Sequence, residues 1–359
     1  MNKLDNIKIV LLMFTLIITL TPINAQNVAN RNEKGTTVHD LYLDSISKIP
    51  YPYRFPILGE KIRKMGFDIP LPNGIMALYT VGKQNITVSN LKIGTKDWDP
   101  ENLIDVSKIA YFSSLEATVE VANARYDFWL LPFLNFSILG GYVKSETMVN
   151  LALPFKATFP AYSNGPLVGW GVTAAGGFGQ IFITADYQMA WTFMPALEKP
   201  SNTKLFDIRV GHTFTFNNKR DMNLSAMIGA QYLKLSSRSK GSVSIEKLLG
   251  LPDDAKKDAA EQLEDWYNGL PPAEQELFAD IYNKLDGWLN DGKDDNLYYD
   301  FNKKMYYPWA MTAGLNWQIN KRWMVTGVYT FLGSREQLTL GLNYRFGFKG
   351  KTLLSGIEF

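Results

Sequence analysis

Alternation of apolar and polar positions runs through most of the chain after residue 114. It predicts strands, because successive strand side chains point to opposite faces. The pattern is cleanest at 336–348, where Leu338, Leu340, Leu342, Tyr344 and Phe346 share one face and Gln337, Thr339, Gly341, Asn343 and Arg345 the other. Working back, strands are predicted at 323–331, 307–318, 222–235, 204–216, 181–192, 167–178, 147–157, 134–142 and 114–121. Leu115, Ala117, Val119 and Val121 oppose Glu116, Thr118 and Glu120 in the earliest of these; Met227 and Leu233 weaken the alternation of 222–235, and Pro154 blemishes 147–157. Two shorter stretches, 75–81 and 86–93, bring the count to twelve.

An even number of strands of roughly 9–11 residues is what a closed membrane barrel requires. A soluble sandwich also alternates, but it seldom runs strand after strand at this length with aromatic residues at the ends. The predicted class is therefore all-β: a transmembrane antiparallel β-barrel of about twelve strands, apolar faces to lipid and polar faces to a lumen. Candidate lumen-lining residues are Thr184, Asp186, Gln188, Asp207, Arg209, Asn223, Gln231, Asn316, Gln318, Asn343 and Arg345. Among them Asp186, Asp207, Arg209 and Arg345 form a charge ladder that either fills the barrel or lines a water path. Phe, Trp and Tyr make up 13% of the chain, enough for interfacial girdles as well as packing.

Between 241 and 300 the period changes from 2 to about 3.6. Asp253 and Asp254 open a helix with Ala255, Ala259, Leu263, Trp266 and Tyr267 in a stripe; residues 269–272 break it; and 273–289 stacks Leu277, Phe278, Ile281, Tyr282, Leu285, Trp288 and Leu289. Two amphipathic helices about a Pro-Pro turn predict an inserted helical hairpin. Residues 244–300 hold 15 Asp and Glu against 5 Lys and Arg, so a net charge of −10 hides inside a chain of +2. Solvated helix faces account for this, and acidic recognition of a partner is the alternative. Asp286, Asp291, Asp294 and Asp295 could offer oxygen ligands to a hard cation, but their spacing is not that of an EF-hand loop.

Lys3 and Lys8, an apolar run over 9–20 and a small residue at Ala25 read as a signal peptide at 1–25, too short to span a bilayer. Residues 26–73 follow as a periplasmic or barrel-mouth segment with a short helix over 57–65; the barrel occupies 74–348, interrupted by 241–300, and 349–359 form a tail. With the last strand running inward, the insertion, 160–166 and 194–203 fall outside the cell. The turns at 144–146, 179, 217–221 and 320–322 fall in the periplasm, as does, less comfortably, the long 94–112 connection.

The catalytic inventory is thin. There is no Cys, so no disulfide, thiolate or cysteine metal site, and only His39 and His212 offer a near-neutral imidazole. His212 shares a face with Val210 and Phe214, a packing position; a lipid-active hydrolase would need it turned toward a serine such as Ser225. Gly169–Gly179 lacks the Gly-Lys-Ser/Thr ending of a phosphate loop. No catalytic residue, cofactor, metal site or nucleic-acid motif is assigned.

At the last strand, Thr339-x-Gly341-x-x-Tyr344-x-Phe346 resembles the signal that the barrel-assembly machinery reads in outer-membrane barrels, although the chain continues past the aromatic residue where that signal usually ends. Leu131-Pro-Phe-Leu-Asn135, Gly140-Gly-Tyr142, Trp309-x-Met311 with Gly314, Tyr329-x-Phe-Leu-Gly-Ser-Arg335 and Leu342-Asn-Tyr-Arg-Phe-Gly347 extend the likeness. Together they resemble a family of uncharacterised Gram-negative outer-membrane barrels with a helical insertion before the last three strands. The resemblance implies fold and address, with outer-membrane lipid and the assembly machinery as partners, and carries over no functional residue. Three functions stay open: a porin-like passive channel or translocation pore, a surface binding or structural module using 241–300, and, behind them, a lipid-active enzyme.

Overall fold

The computed structural model describes residues 37–64, 68–96, 102–106, 112–151, 154, 157–195, 197–235, 238–293 and 295–350. The predicted signal peptide and the tail beyond 350 lie outside the described residues. Helices α1 (Val38–Ser47) and α2 (Gly59–Lys64) precede strands β1 (Asn73–Gly94), β2 (Leu103–Asp105), β3 (Phe112–Leu131), β4 (Leu134–Leu151), β5 (Ala157–Phe178), β6 (Ile181–Thr192), β7 (Ser201–Thr215), β8 (Asn223–Leu235) and β9 (Arg238–Ser244). Then come α3 (Ile245–Leu249), α4 (Asp253–Asn268), α5 (Pro272–Asp291), β10 (Asn296–Met305), β11 (Trp309–Gln318), β12 (Trp323–Phe331) and β13 (Arg335–Phe346).

Ten of these strands close an antiparallel barrel in the order β1, β3, β4, β5, β6, β7, β8, β11, β12, β13, and back to β1. The closing ladder runs without a break from Asn73↔Phe346 to Gln84↔Arg335. Closure leaves no unpaired edge, the condition for backbone polar groups to cross lipid.

Ten strands replace the expected twelve for two reasons. The stretches 75–81 and 86–93 belong to one 22-residue strand, β1. The stretch 147–157 is no strand of its own, because β4 runs to Leu151 and β5 begins at Ala157. Lys144–Glu146 and 160–166, expected as a turn and a loop, instead face one another inside the β4–β5 ladder, Lys144↔Asn164 and Glu146↔Tyr162. With β1 counted once, the 94–112 connection moves to the rim opposite the chain's last strand end, so no long loop interrupts the row of short turns at 132–133, 179–180, 216–222 and 319–322.

We call the rim where β1 begins and β13 ends the terminal rim, and its opposite the distal rim. Outward residues form an apolar belt that includes Ile75, Ile138, Val168, Ile183, Val210, Leu315 and Leu340, all exposed. On β13 the belt extends from Leu338 to Phe346, which at about 3.4 Å per residue and a tilt of 35–45° gives a height of roughly 19–22 Å. Exposed Phe133, Phe178, Phe216, Trp317 and Trp323 ring the terminal rim, and Tyr142 and Trp309 mark the distal edge. The face assignment of 114–121 differs from its neighbours: Ala117, Val119 and Val121 line the interior, while Lys83 and Glu116 pair on the outside at 2.8 Å, above the belt. Met227 and Leu233, which blurred the pattern of β8, are likewise interior residues.

Above the belt the wall is uneven. β3, β4 and β5 have 20, 18 and 22 residues, whereas β11, β12 and β13 have 10, 9 and 12. The outer half of β1 leaves the barrel ladder to pair with β10, Ile86↔Met305 to Gly94↔Tyr298, and β10 pairs with β9. This ribbon reaches the β6–β7 loop on the far side, where Leu197 bridges Gly241 and Glu198 N donates to the Lys240 carbonyl at 2.9 Å.

On it rides the helical hairpin α4–α5, in the position the insertion pattern predicted. Ile245, Leu263, Phe278, Ile281, Leu285 and Trp288 are buried in one apolar cluster with Leu91, Val106, Val149 and Leu297. Leu115, Val149 and Ala161 in that cluster stand at inward positions of β3, β4 and β5, so the hairpin sits over the distal mouth against the inner face of the tall wall.

The terminal mouth is covered from below. Ile57 N donates to Leu130 O at 2.8 Å, Trp129 N to Pro72 O at 2.8 Å and Gly350 N to Pro52 O at 3.1 Å, while Tyr53 bridges Lys349. His39 Nδ1 donates to Arg220 O at 2.9 Å and Asp68 pairs with Lys321, tying the same segment to the β7–β8 and β11–β12 turns. The described residues of this segment, 37–64 and 68–72, thus span the mouth. The predicted helix over 57–65 reduces to α2 within the described residues.

Candidate functional site

Inward polar residues from neighbouring strands meet in two networks. The first lies near the terminal rim around Asp127 of β3, which is 1% exposed. Asn135 Nδ2 donates to Asp127 Oδ1 at 2.9 Å and Arg345 NH2 to the same oxygen at 3.1 Å; Arg125 stands 4.0 Å away. Arg345 Nε also donates to Leu71 O at 2.9 Å, so one guanidinium ties the lumen to the N-terminal cover. Gly74 is where β1 passes this network: a Cβ there would come within 2.7 Å of Asp127 Oδ2 and 3.0 Å of Asn343 Oδ1.

The second network crosses five strands at mid-height. Thr173 Oγ1 donates to Asp186 Oδ1 at 2.6 Å, Arg209 bonds Asp207 at 2.6 Å and reaches Asp186 at 3.5 Å, and Gln231 Nε2 donates to Asp207 Oδ2 at 2.8 Å. Arg335 of β13 closes the chain, donating from NH1 to Gln231 Oε1 at 2.7 Å and from NH2 to Gln231 O at 3.0 Å. Because β11 and β12 lie between β13 and β8, this last link is a chord across the lumen. Such a network rigidifies a narrow barrel while leaving polar groups on its water side.

Around these networks lies a cavity of about 560 Å³. Its lining includes residues from all ten barrel strands, from Trp129 and Arg345 near the terminal rim to Thr147 and Leu235 near the distal one. The distal half is mixed: Val119, Val143, Leu167, Leu205 and Leu233 alternate with hydroxyl residues such as Ser145, Ser163, Thr192 and Thr203. Lys303 of β10 also lines it, and enclosure pushes its amine below the usual lysine range.

Of the eleven lumen candidates, Thr184, Asp186, Gln188, Arg209, Gln231, Asn316, Asn343 and Arg345 line this cavity. Asp207 is fully buried behind Arg209. Asn223 and Gln318 pair across β8 and β11 below the cavity, and Gln318 Nε2 donates to the Asp221 carbonyl at 2.7 Å. The residues of the sequence signal divide by face. Thr339 hydrogen-bonds Thr80 inside at 2.9 Å, whereas Tyr344 stacks between Trp323 and Phe346 outside.

The carboxylates considered for a cation take other partners: Asn290 bonds Asp286, Lys293 pairs with Asp291 and Lys284 with Asp295, while Asp294 lies outside the described residues. Among the described residues no three such ligands converge. His212 packs on Phe214 with ring centroids 4.5 Å apart on the outer face, whereas Ser225 faces inward and bonds Thr213 at 2.9 Å. The imidazole and that serine therefore stand on opposite sides of the wall.

Arg125, Asp127, Asn135, Lys303 and Arg335 were not among the predicted lumen residues. Arg335 was within reach, since stepping back by two from Gln337 marks it as inward; Arg125 and Asp127 share the face of Val121, which the apolar pattern assigned to lipid, so the same step pointed them outward.

No protein-family model and no curated protein matches this sequence. Among solved structures the chain is similar to the beta domain of the Bordetella autotransporter Brka, at 8% identity over 77% of this chain and 100% of that one, with a TM-score of 0.34. It is similar to the transport unit of the Escherichia coli autotransporter AIDA-I, at 9% identity over 88% and 100% with a TM-score of 0.31. The Ralstonia pickettii toluene transporter TbuX matches at 8% identity over 77% and 90%, TM-score 0.28.

Proposed function

We propose that the chain is an outer-membrane transport protein that gives a small solute a constricted, covered passage, with the terminal rim toward the periplasm and the helical hairpin outside the cell. The observation that carries this reading is a cavity lined from all ten barrel strands. Its size is within the roughly 300–1,000 Å³ typical of small-molecule sites. The arginine chord and the two covers make it a regulated route rather than an open pore. With His212 on the outer face, no catalytic step is assigned. The test is solute flux and single-channel current in liposomes and planar bilayers, for the full chain and for a chain lacking residues 37–58. Small or intermittent conductance should become larger and steadier when the cover is removed. Absence of flux from both proteins would overturn the reading.

A second reading, a surface binding module, has one observation in its favour. The hairpin spends its apolar stripe on the barrel wall, which leaves the acidic faces of α4 and α5 outward. Capture of cell-surface partners by the full chain but not by one lacking residues 245–295 would support it.

A further inference from the structure

The lumen holds more positive than negative side chains. Arg125, Arg209, Arg335, Arg345 and Lys303 line the cavity, against Asp127, Asp186 and the adjacent Asp207, a formal excess of 5 − 3 = +2. The excess is not spread evenly. Arg209 and Arg345 each contact a carboxylate within 3.5 Å, and Arg125 is 4.0 Å from one. Arg335 is hydrogen-bonded by Gln231, whose amide in turn holds Asp207, the carboxylate that acts on Arg335 from beyond contact, whereas Lys303 has no hydrogen-bond or ion-pair partner among the described residues. These two cations stand on the same wall: Arg335 is in register with Gln84 of β1 and Lys303 with Val88, four residues farther along, or about 13 Å. Between and opposite them Ile86, Val143, Leu167 and Leu205 give the lining an apolar share, interspersed with Ser163, Thr192 and Thr203. An enclosed cation without a counter-charge is costly, and an anion that enters relieves that cost while its apolar part covers the aliphatic lining.

We propose that the distal half of the lumen binds a small amphiphilic anion, a carboxylate or similarly charged head seated between Lys303 and Arg335 with an apolar body against Val143, Leu167 and Leu205. This rests on the transport reading and names the solute class that the passage selects. The bound anion restores charge balance at Lys303, while a cation of the same shape meets the +2 excess and is rejected.

Benzoate, benzyl alcohol and benzylammonium serve as probes of nearly one shape and three charges. Their binding to the purified full chain is measured by calorimetry, with Trp129 at the cavity's other end as a fluorescence reporter. Benzoate should bind at least about tenfold more tightly than either analogue, K303M should lose at least about tenfold of that affinity, and K303R should keep most of it. Folding of each variant is checked by heat-modifiable migration. Equal binding of benzoate and benzylammonium, no binding by any probe, or full benzoate affinity in folded K303M would overturn the proposal. Flux is measured separately: binding without flux would sink the transport reading alone, and flux of all three probes at one rate would sink the anion site alone.

Discussion

Arg209 holds two carboxylates at once, Asp207 at 2.6 Å and Asp186 at 3.5 Å, in a place where Asp207 has no exposed surface. Removing the cation alone leaves two facing carboxylates inside a membrane barrel. Arg209→Met should therefore cost about 3–5 kcal/mol, read as a lower unfolding midpoint in lipid vesicles, and the triple change with Asp186→Asn and Asp207→Asn should recover most of the loss. Full stability of the single variant would show that lumen water already screens the pair. Gly74→Ala makes a steric version of the same argument: its methyl would press on Asp127 Oδ2, and a cost of about 1–3 kcal/mol is expected in the same assay. Period-2 reading placed Asp186, Asp207, Arg209 and Arg345 on the inner face, because inward and outward positions are fixed once a strand's phase is known. It missed Asp127 because the phase of β3 looked inverted. An apolar face normally marks lipid, but Ala117, Val119 and Val121 stand above the belt, where the outer surface meets water and the lumen is the drier side.

At the level of elements, α4 and α5 announced themselves because a 3.6-residue stripe needs no partner to be visible. β9 and β10 did not. The seven residues Arg238–Ser244 hold one apolar side chain, Val243, too few for an alternation, and what makes them a strand is a ladder to β10, Asn296↔Ser244 to Asn302↔Arg238, across more than fifty residues of chain. One side-chain tie in that ribbon is Arg238 to Asp300, with Nε 2.9 Å from Oδ1 and NH2 2.5 Å from Oδ2. Those hydrogen bonds hold the Asp300 carboxyl below the usual carboxylate range. A carboxylate depressed in the folded state contributes stability above its unfolded pKa of about 3.9 and loses it as pH falls through the folded value. The distal domain should therefore melt earlier at about pH 3 than at about pH 7 when followed by tryptophan fluorescence. Asp300→Asn should lower the midpoint at neutral pH and flatten part of the dependence; an unchanged slope would show that the ribbon is held by its backbone ladder alone. Trp288→Ala tests the hairpin's seat. The side chain is fully buried, and its Nε1 donates to Glu246 at 2.6 Å. Losing it should cost the distal domain about 3–5 kcal/mol. Hydrogen exchange should then rise across α3–α5 and leave β11–β13 protected.

For the molecule as a whole, both mouths are covered by parts of the same chain, and the covers differ in kind. The distal cover is the seat of an apolar cluster, with Ile245, Leu263 and Trp288 wholly buried in it, so moving it exposes a large apolar area. The terminal cover is held by hydrogen bonds to strand ends, by the Asp68–Lys321 pair, by Arg345 Nε on the Leu71 carbonyl and by a smaller apolar seat that includes buried Tyr51 and Pro56 and the Phe55–Phe128 ring contact. Its close fit shows at Gly347, where any Cβ would collide with the Tyr53 ring. The hydrogen bonds exchange for water at small net cost and the apolar seat is the smaller of the two, so the terminal cover is expected to open first. The chain has no cysteine, so a cross-link can be placed without interference. Tyr53 and Lys349 face each other in an antiparallel bridge, a pairing whose Cα atoms lie about 4.5–5.5 Å apart, inside the disulfide range. Tyr53→Cys with Lys349→Cys, oxidised, should cut solute flux several-fold, and reduction should restore it in the same vesicles. If oxidised and reduced proteins pass solute equally, this end of the N-terminal cover does not need to move. A route past it would then have to lie on the side of Arg220 and Lys321, where a second cross-link from α1 to the β7–β8 turn would be the one that blocks flux.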